Sequence, residues 1–181
     1  MDRARRLLQS HGFEGFSYRD ISSQLGIKNA AIHYHFPTKS DLGQALVEDF
    51  CEETRQQIAF ARENLTVRKQ LDAYFERMAQ EFDRDNSLCP VGAMTTSLGT
   101  ISDSMRNSLN QLSALVVDWL TETLEKGRNN GDVEFSGDAR SKAIQISAAM
   151  QGARQLSRLN CSNQVERVAG QFKEELYKEP S

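Results

Sequence analysis

Proline interrupts this 181-residue chain only at positions 37, 90 and 180, so residues 38–89 and 91–179 hold nothing that must break a helix. Period-two alternation of β-branched residues is sustained nowhere, whereas apolar residues recur at spacings of three and four, and the chain reads as all-α. The first helix covers Asp2–His11 and stops at Gly12. Thr38 with Asp41 writes a capping box for a long helix carrying Leu42, Ala45, Leu46, Phe50, Ile58 and Phe60. Thr66 caps the next, with Leu71, Phe75, Met78 and Phe82 on its apolar face and a break over 83–87. Cys89-Pro90 opens a weakly patterned helix over 91–100, and Ser102 or Asp103 caps a longer one bearing Leu109, Leu112, Val116, Trp119, Leu120 and Leu124. Beyond the loop at 132–137 come two last helices, 138–159 and 163–177, the second with Val165, Val168, Ala169, Phe172 and Leu176 on one stripe.

Residues 16–36 carry the most chemistry. Ser17 and Asp20 form a capping-box start over which Phe16 and Ile21 close as a hydrophobic staple. Ile21 and Leu25 continue the apolar face, Gly26 reverses the chain, and Ile27 is expected to plug the inside of the turn. A second short helix follows at once, with Ile32 and Phe36 inward and Ala30, Ala31, His33 and Tyr34 on the other side. Small residues let a backbone approach base edges, and an alanine methyl packs on a thymine methyl. Lys28, Asn29, His33 and Tyr34 offer hydrogen bonds to phosphates or bases. The pattern is a helix-turn-helix.

Three segments extend it: Gly12-Phe13-Glu14-Gly15-Phe16-Ser17-Tyr18-Arg19-Asp20-Ile21, then Leu25-Gly26-Ile27, then Ile32-His33-Tyr34-His35-Phe36-Pro37-Thr38-Lys39-Ser40-Asp41-Leu42. Together they resemble the amino-terminal domain of the TetR family of bacterial transcriptional repressors. The resemblance implies a three-helix DNA-binding head over residues 1–46 and a larger helical ligand-binding and dimerisation body over 47–181. It implies a DNA-facing set of Ser17, Arg19, Lys28, Asn29, Ala31, His33, Tyr34 and Lys39, with Lys39 clamping a phosphate at a helix start. The first helix is short for the family, as if a basic leader preceded it. Where the family often has Ser-Lys-Gly this chain has Lys28-Asn29-Ala30, and where it often has tyrosine this chain has His33, departures that bear on which operator is read.

The loop from Asn129 to Phe135 and the run from Ala148 to Arg154 are loosely similar to the carboxy-terminal domain of the same family. That likeness implies a homodimer in which the last two helices meet their mates in a four-helix interface. Ala148, Ala149, Gly152 and Ala153 make a smooth patch suited to close approach, and Leu156 and Leu159 extend it. Ala149, Gly152, Ala153, Leu156, Val165, Val168 and Phe172 are the expected interface. The family also implies a ligand cavity in the body, for which Phe75, Met78, Phe82, Met94, Met105, Leu112, Val116 and Trp119 are the candidate lining. Methionine and aromatic walls suit an apolar or aromatic inducer.

Composition narrows the other classes. The net charge of -3 advertises no global attraction to nucleic acid, but residues 1–46 hold six Lys and Arg against four Asp and Glu, and the remainder 16 against 21. This fits a DNA-facing head on an acidic body. Cys51, Cys89 and Cys161 are odd in number and widely spaced, which argues against a disulfide framework or a zinc site. His33 and His35 point away from each other at a spacing of two on a helix, so no metal and no cofactor is expected. The start is too polar for a signal peptide and no run reaches a membrane span, which makes the cytoplasm the expected compartment. Phosphate-cradling glycine motifs and nucleophile–base arrangements are missing, so the chain does not read as an enzyme. The expected function is that of a dimeric repressor released from double-stranded operator DNA by a small molecule. Two other readings stay open: a redox or electrophile sensor acting through Cys89 beside a helix start, and a helical interaction module without DNA binding.

Overall fold

The computed structural model describes the backbone of residues 1–85, 87–160 and 163–177, and their side chains except those of 81–85 and 160. These residues form helices α1 (Asp2–His11), α2 (Tyr18–Leu25), α3 (Asn29–His35), α4 (Lys39–Asn64), α5 (Val67–Asp85), α6 (Pro90–Thr95), α7 (Asp103–Asn130), α8 (Ala139–Asn160) and α9 (Gln164–Leu176), and the described residues include no strand. No described helix is long and apolar enough to cross a membrane. The chain divides into two compact units, residues 1–53 with 87–113 and residues 54–86 with 114–181, so α4 and α7 each contribute to both.

Local chemistry sets most helix ends. The Asp20 carboxylate accepts from the Ser17 hydroxyl and amide, each at 2.7 Å, and Asp41 accepts from Thr38 in the same way at 2.8 Å. Ser102 Oγ accepts from the Met105 amide at 3.2 Å to open α7, Asp138 Oδ1 from the Ser141 amide at 2.8 Å to open α8, and Asn163 Oδ1 from the Glu166 amide at 3.3 Å to open α9. Gly26 ends α2 in the left-handed region, with φ +66°, where a side chain would be strained. The helix expected over 91–100 is shorter. α6 ends at Thr95, and Ser97 and Thr100 close tight turns onto the carbonyls of Met94 and Ser97.

In the first unit Leu8, Leu42, Leu46, Met94 and Met105 are buried to 2% exposure or less. The approach around α4 is close enough to require glycine: a Cβ on Gly43 would stand 2.6 Å from Met105 Sδ and 2.7 Å from the Phe13 ring. Arg5 of α1 pairs with Asp49 and Glu53 of α4 and lies 4.3 Å over the Phe50 ring, fastening the two helices. Leu25 and Ile27 do not fill the turn as expected. They are 52% and 44% exposed, while Tyr18, Ile21, Ser22 and Ile32 are the buried residues of α2 and α3. The second unit is packed around Leu71, Phe75, Leu120, Leu124, Ile146, Val165 and Leu176 from α5, α7, α8 and α9.

Candidate functional site

The recognition hairpin is anchored from below. Ile32 is the buried residue of α3. The Tyr18 hydroxyl lies 2.8 Å from the Phe36 carbonyl and 2.5 Å from that of Thr38, tying α2 to the link between α3 and α4. Burial, and then the nearby Asp41 charge, push this phenol above its usual range, so it stays a donor. His33 packs its ring edge-on against Tyr18 at 4.6 Å, and its Nδ1 is 3.3 Å from the Pro37 carbonyl. Donation from Nδ1 to that carbonyl leaves Nε2 as the outward atom.

Above these anchors the upper face of the hairpin is open. Tyr34 is 83% exposed, and Ser17, Arg19, Lys28, Asn29, Ala31 and His33 are exposed with it. Asn29 is not loose: its Oδ1 accepts from the Ser22 hydroxyl of α2 at 2.5 Å. Lys39 has a second occupation besides the one expected of it. Its ammonium is half-buried, 4.9 Å and 4.8 Å over the rings of Phe13 and Phe16 and 3.9 Å from the Glu14 carboxylate. A short helix held by one buried isoleucine and presenting a tyrosine, a histidine and an amide is shaped for a groove of nucleic acid.

Residues 1–46 match the family model for bacterial regulatory proteins of the tetR family. The fold of a TetR-family regulator from Agrobacterium tumefaciens superposes with a TM-score of 0.90 at 29% identity over 97% of this chain and 94% of that one. Residues 1–46 are a TetR-family DNA-binding domain, and the chain as a whole has the fold of TetR-family regulators. A TetR regulator from Legionella pneumophila gives a TM-score of 0.83 at 26% identity, covering 94% of this chain and 91% of its own. The HTH-type transcriptional repressor NemR of Escherichia coli K12 is 20% identical over 152 residues, which are 82% of this chain and 76% of NemR. TetR-family proteins are transcriptional regulators, and this chain is a regulator, not an enzyme.

In the second unit a cavity lies between α4, α5 and α7, about 420 Å³ in volume. Thr54, Gln57, Ile58, Phe60, Ala61 and Leu65 line it from α4 and its end, Gln70, Ala73, Tyr74 and Arg77 from α5, and Val116 and Trp119 from α7. Two of the eight candidate lining residues, Val116 and Trp119, are therefore in this wall. Phe75 borders a separate pocket beside α9 of about 310 Å³, and Met78 is packed in the unit's core. Met94, Met105 and Leu112 are buried in the first unit, and the Phe82 side chain falls outside the described residues. Periodicity finds apolar faces but does not say which face meets which. Tyr74, Gln70 and Arg77 escaped notice because they share α5 with the more apolar face of Leu71, Phe75 and Met78. The spacing 70, 73, 74, 77 was the available signal.

The expected dimer surface also divides. Gly152 and Leu156 are exposed and Ala149 half-buried, and with Ile144, Ala148 and Leu159, the last 78% exposed, they form an open apolar stripe along α8. Ala153, Val165 and Phe172 are instead 2%, 0% and 7% exposed within their own unit. Phe172 stacks on Phe75 with centroids 6.2 Å apart and planes 8° from parallel. These three serve the subunit's own core and are closed to a partner, while Val168 is half-buried at the margin. No group of three or more His, Cys, Asp or Glu able to hold a metal occurs among the described residues.

Proposed function

We propose that this chain is a dimeric repressor that binds operator DNA through α3 and releases it when a small molecule occupies the cavity between α4, α5 and α7. The observation that carries the reading is the split of α3: Ile32 is buried against the hairpin while Tyr34, two residues on, is 83% exposed. Two heads related by a dimer axis would each set an α3 into a major groove, with half-sites about 34 to 36 Å apart or a multiple of that. The stripe of Ile144, Gly152, Leu156 and Leu159 supplies the dimer face. α4 lines the cavity and also opens beside the recognition hairpin, so a ligand that fits one arrangement of α4 better than another shifts operator affinity by that difference.

Fluorescence anisotropy with labelled duplex from upstream of the protein's own gene tests this. The parent protein is expected to bind selectively over a scrambled duplex, and Tyr34→Ala to lose at least tenfold in affinity. Equal affinity for the two duplexes, or an unchanged Tyr34→Ala variant, would remove α3 from the reading. The NemR likeness supports repression; the sign is read by placing the same upstream segment before a reporter and comparing its output with and without the protein.

A further inference from the structure

The cavity between α4, α5 and α7 has a polar end and an apolar end. α4 and α5 run past it in opposite directions: Gln70 Nε2 donates to the Leu65 carbonyl at 3.0 Å near one end, and the Arg77 guanidinium donates to Gln57 Oε1 near the other. From Leu65 back to Gln57 is about 12 Å of chain at helical rise. Ala61, Leu65, Ala73 and Trp119 surround the first end, and Thr54, Gln57 and Arg77 the second. The carboxamide at the apolar end is occupied by the protein itself, since Gln70 Oε1 accepts from Trp119 Nε1 at 3.3 Å and lies 3.5 Å from the Thr123 hydroxyl. Among the residues lining the cavity Arg77 carries the charge, and none is Asp or Glu.

We propose that the ligand is an amphipathic anion, with an aryl or alkyl body between Trp119, Tyr74, Ala61 and Leu65 and a carboxylate, or an acid of similar shape, at Arg77. The proposal rests on the reading above that this cavity is the inducer site. A carboxylate entering the cavity loses water but gains charge-assisted hydrogen bonds from a guanidinium whose planar fork suits it. An ammonium head of the same size would be desolvated beside a like charge. An alcohol would gain only neutral hydrogen bonds.

The test is calorimetric titration of the whole protein with 4-phenylbutyrate, 4-phenylbutanol and 4-phenylbutylamine, which share one body and differ in the head, with Trp119 emission recorded in parallel. The acid is expected to bind at least tenfold more tightly than the alcohol, and the amine more weakly than either, with Trp119 emission changing on binding. Arg77→Gln should bring the acid down to the level of the alcohol, and Arg77→Lys should keep the acid ahead of the amine. If Arg77→Gln loses its helical circular dichroism, the ranking of the probes on the parent and on Arg77→Lys decides the matter. An acid no tighter than the alcohol or amine, a preference that survives Arg77→Gln in a folded protein, or no binding of any probe would overturn the ligand class. Operator release, followed by anisotropy in the same samples, separates the two readings. Acid-selective binding without release keeps the class and removes the inducer role, whereas release by all three probes alike keeps the role and removes the class.

Discussion

Two side chains of the head do more than their positions in the sequence suggest. Lys39 covers the Phe13 and Phe16 rings in addition to the phosphate contact proposed for it. Lys39→Ala should therefore cost about 0.5–1 kcal/mol of head stability through the lost cation–π contacts. It should also lower the slope of operator affinity against log salt by about one. Thermal melting and a salt titration read the two effects separately, and a variant changed in neither would leave Lys39 as an ordinary surface lysine. Asn29 is the second case. Its Oδ1 is engaged by Ser22 while the residue remains exposed. Ser22→Ala and Asn29→Ala are expected to be non-additive in operator binding, coupled by about 1 kcal/mol in a double-mutant cycle. Additive losses would mean that Ser22 does not orient Asn29.

Among the helices, the end of α9 is tied to α5 by the Tyr177 phenol as well as by the Lys173 ion pairs with Asp72 and Glu76. The Tyr177 hydroxyl lies 3.0 Å from Asp72 Oδ1 and 3.3 Å from the Arg68 carbonyl, and the Arg68 guanidinium is 5.0 Å from the ring centroid. Burial, and then the Asp72 charge, raise this phenol well above the tyrosine value of 10.0. Its ionisation is thus easier in the unfolded chain. The stabilisation is whole below about pH 10 and falls away as the pH rises further. Tyr177→Phe should cost about 1 kcal/mol at neutral pH by removing the hydrogen bond, and should flatten the loss of stability above pH 10. Denaturant melts at pH 8 and pH 11 check both signs. Element ends of this kind were largely legible in the sequence, because Ser17–Asp20, Thr38–Asp41, Ser102, Asp138 and Asn163 act on amides a few residues away. What each apolar stripe would face was not legible. Val165 and Phe172 have the same spacing whether they meet α5 of their own chain or a second chain, and only the stacking on Phe75 decides. The cavity was hidden for the same reason, since the pairing of 57 with 77 and of 65 with 70 is a property of two helices together.

For the whole molecule, the proposed assembly rests on the open α8 stripe. Leu156→Glu places a charge in the middle of that stripe, where a dimer would bury it unpaired, and it is expected to yield a monomer by light scattering. Ala153→Glu is the contrasting change. Ala153 is 2% exposed inside its own unit, so this substitution should lower helical circular dichroism and melting temperature in addition to any change in mass. A Leu156→Glu protein that remains dimeric would move the contact to another surface. Leu159, at 78% exposure, and Ile144, at 50%, also give an isolated copy a band of apolar surface that water penalises. Association and folding then draw on the same term of mass action: each tenfold rise in concentration favours the folded pair over two unfolded chains by about 1.4 kcal/mol. Melting temperature should accordingly climb with dilution reversed, sample by sample, in the parent and stay level in Leu156→Glu, so that copy number itself becomes a determinant of how long each molecule stays folded.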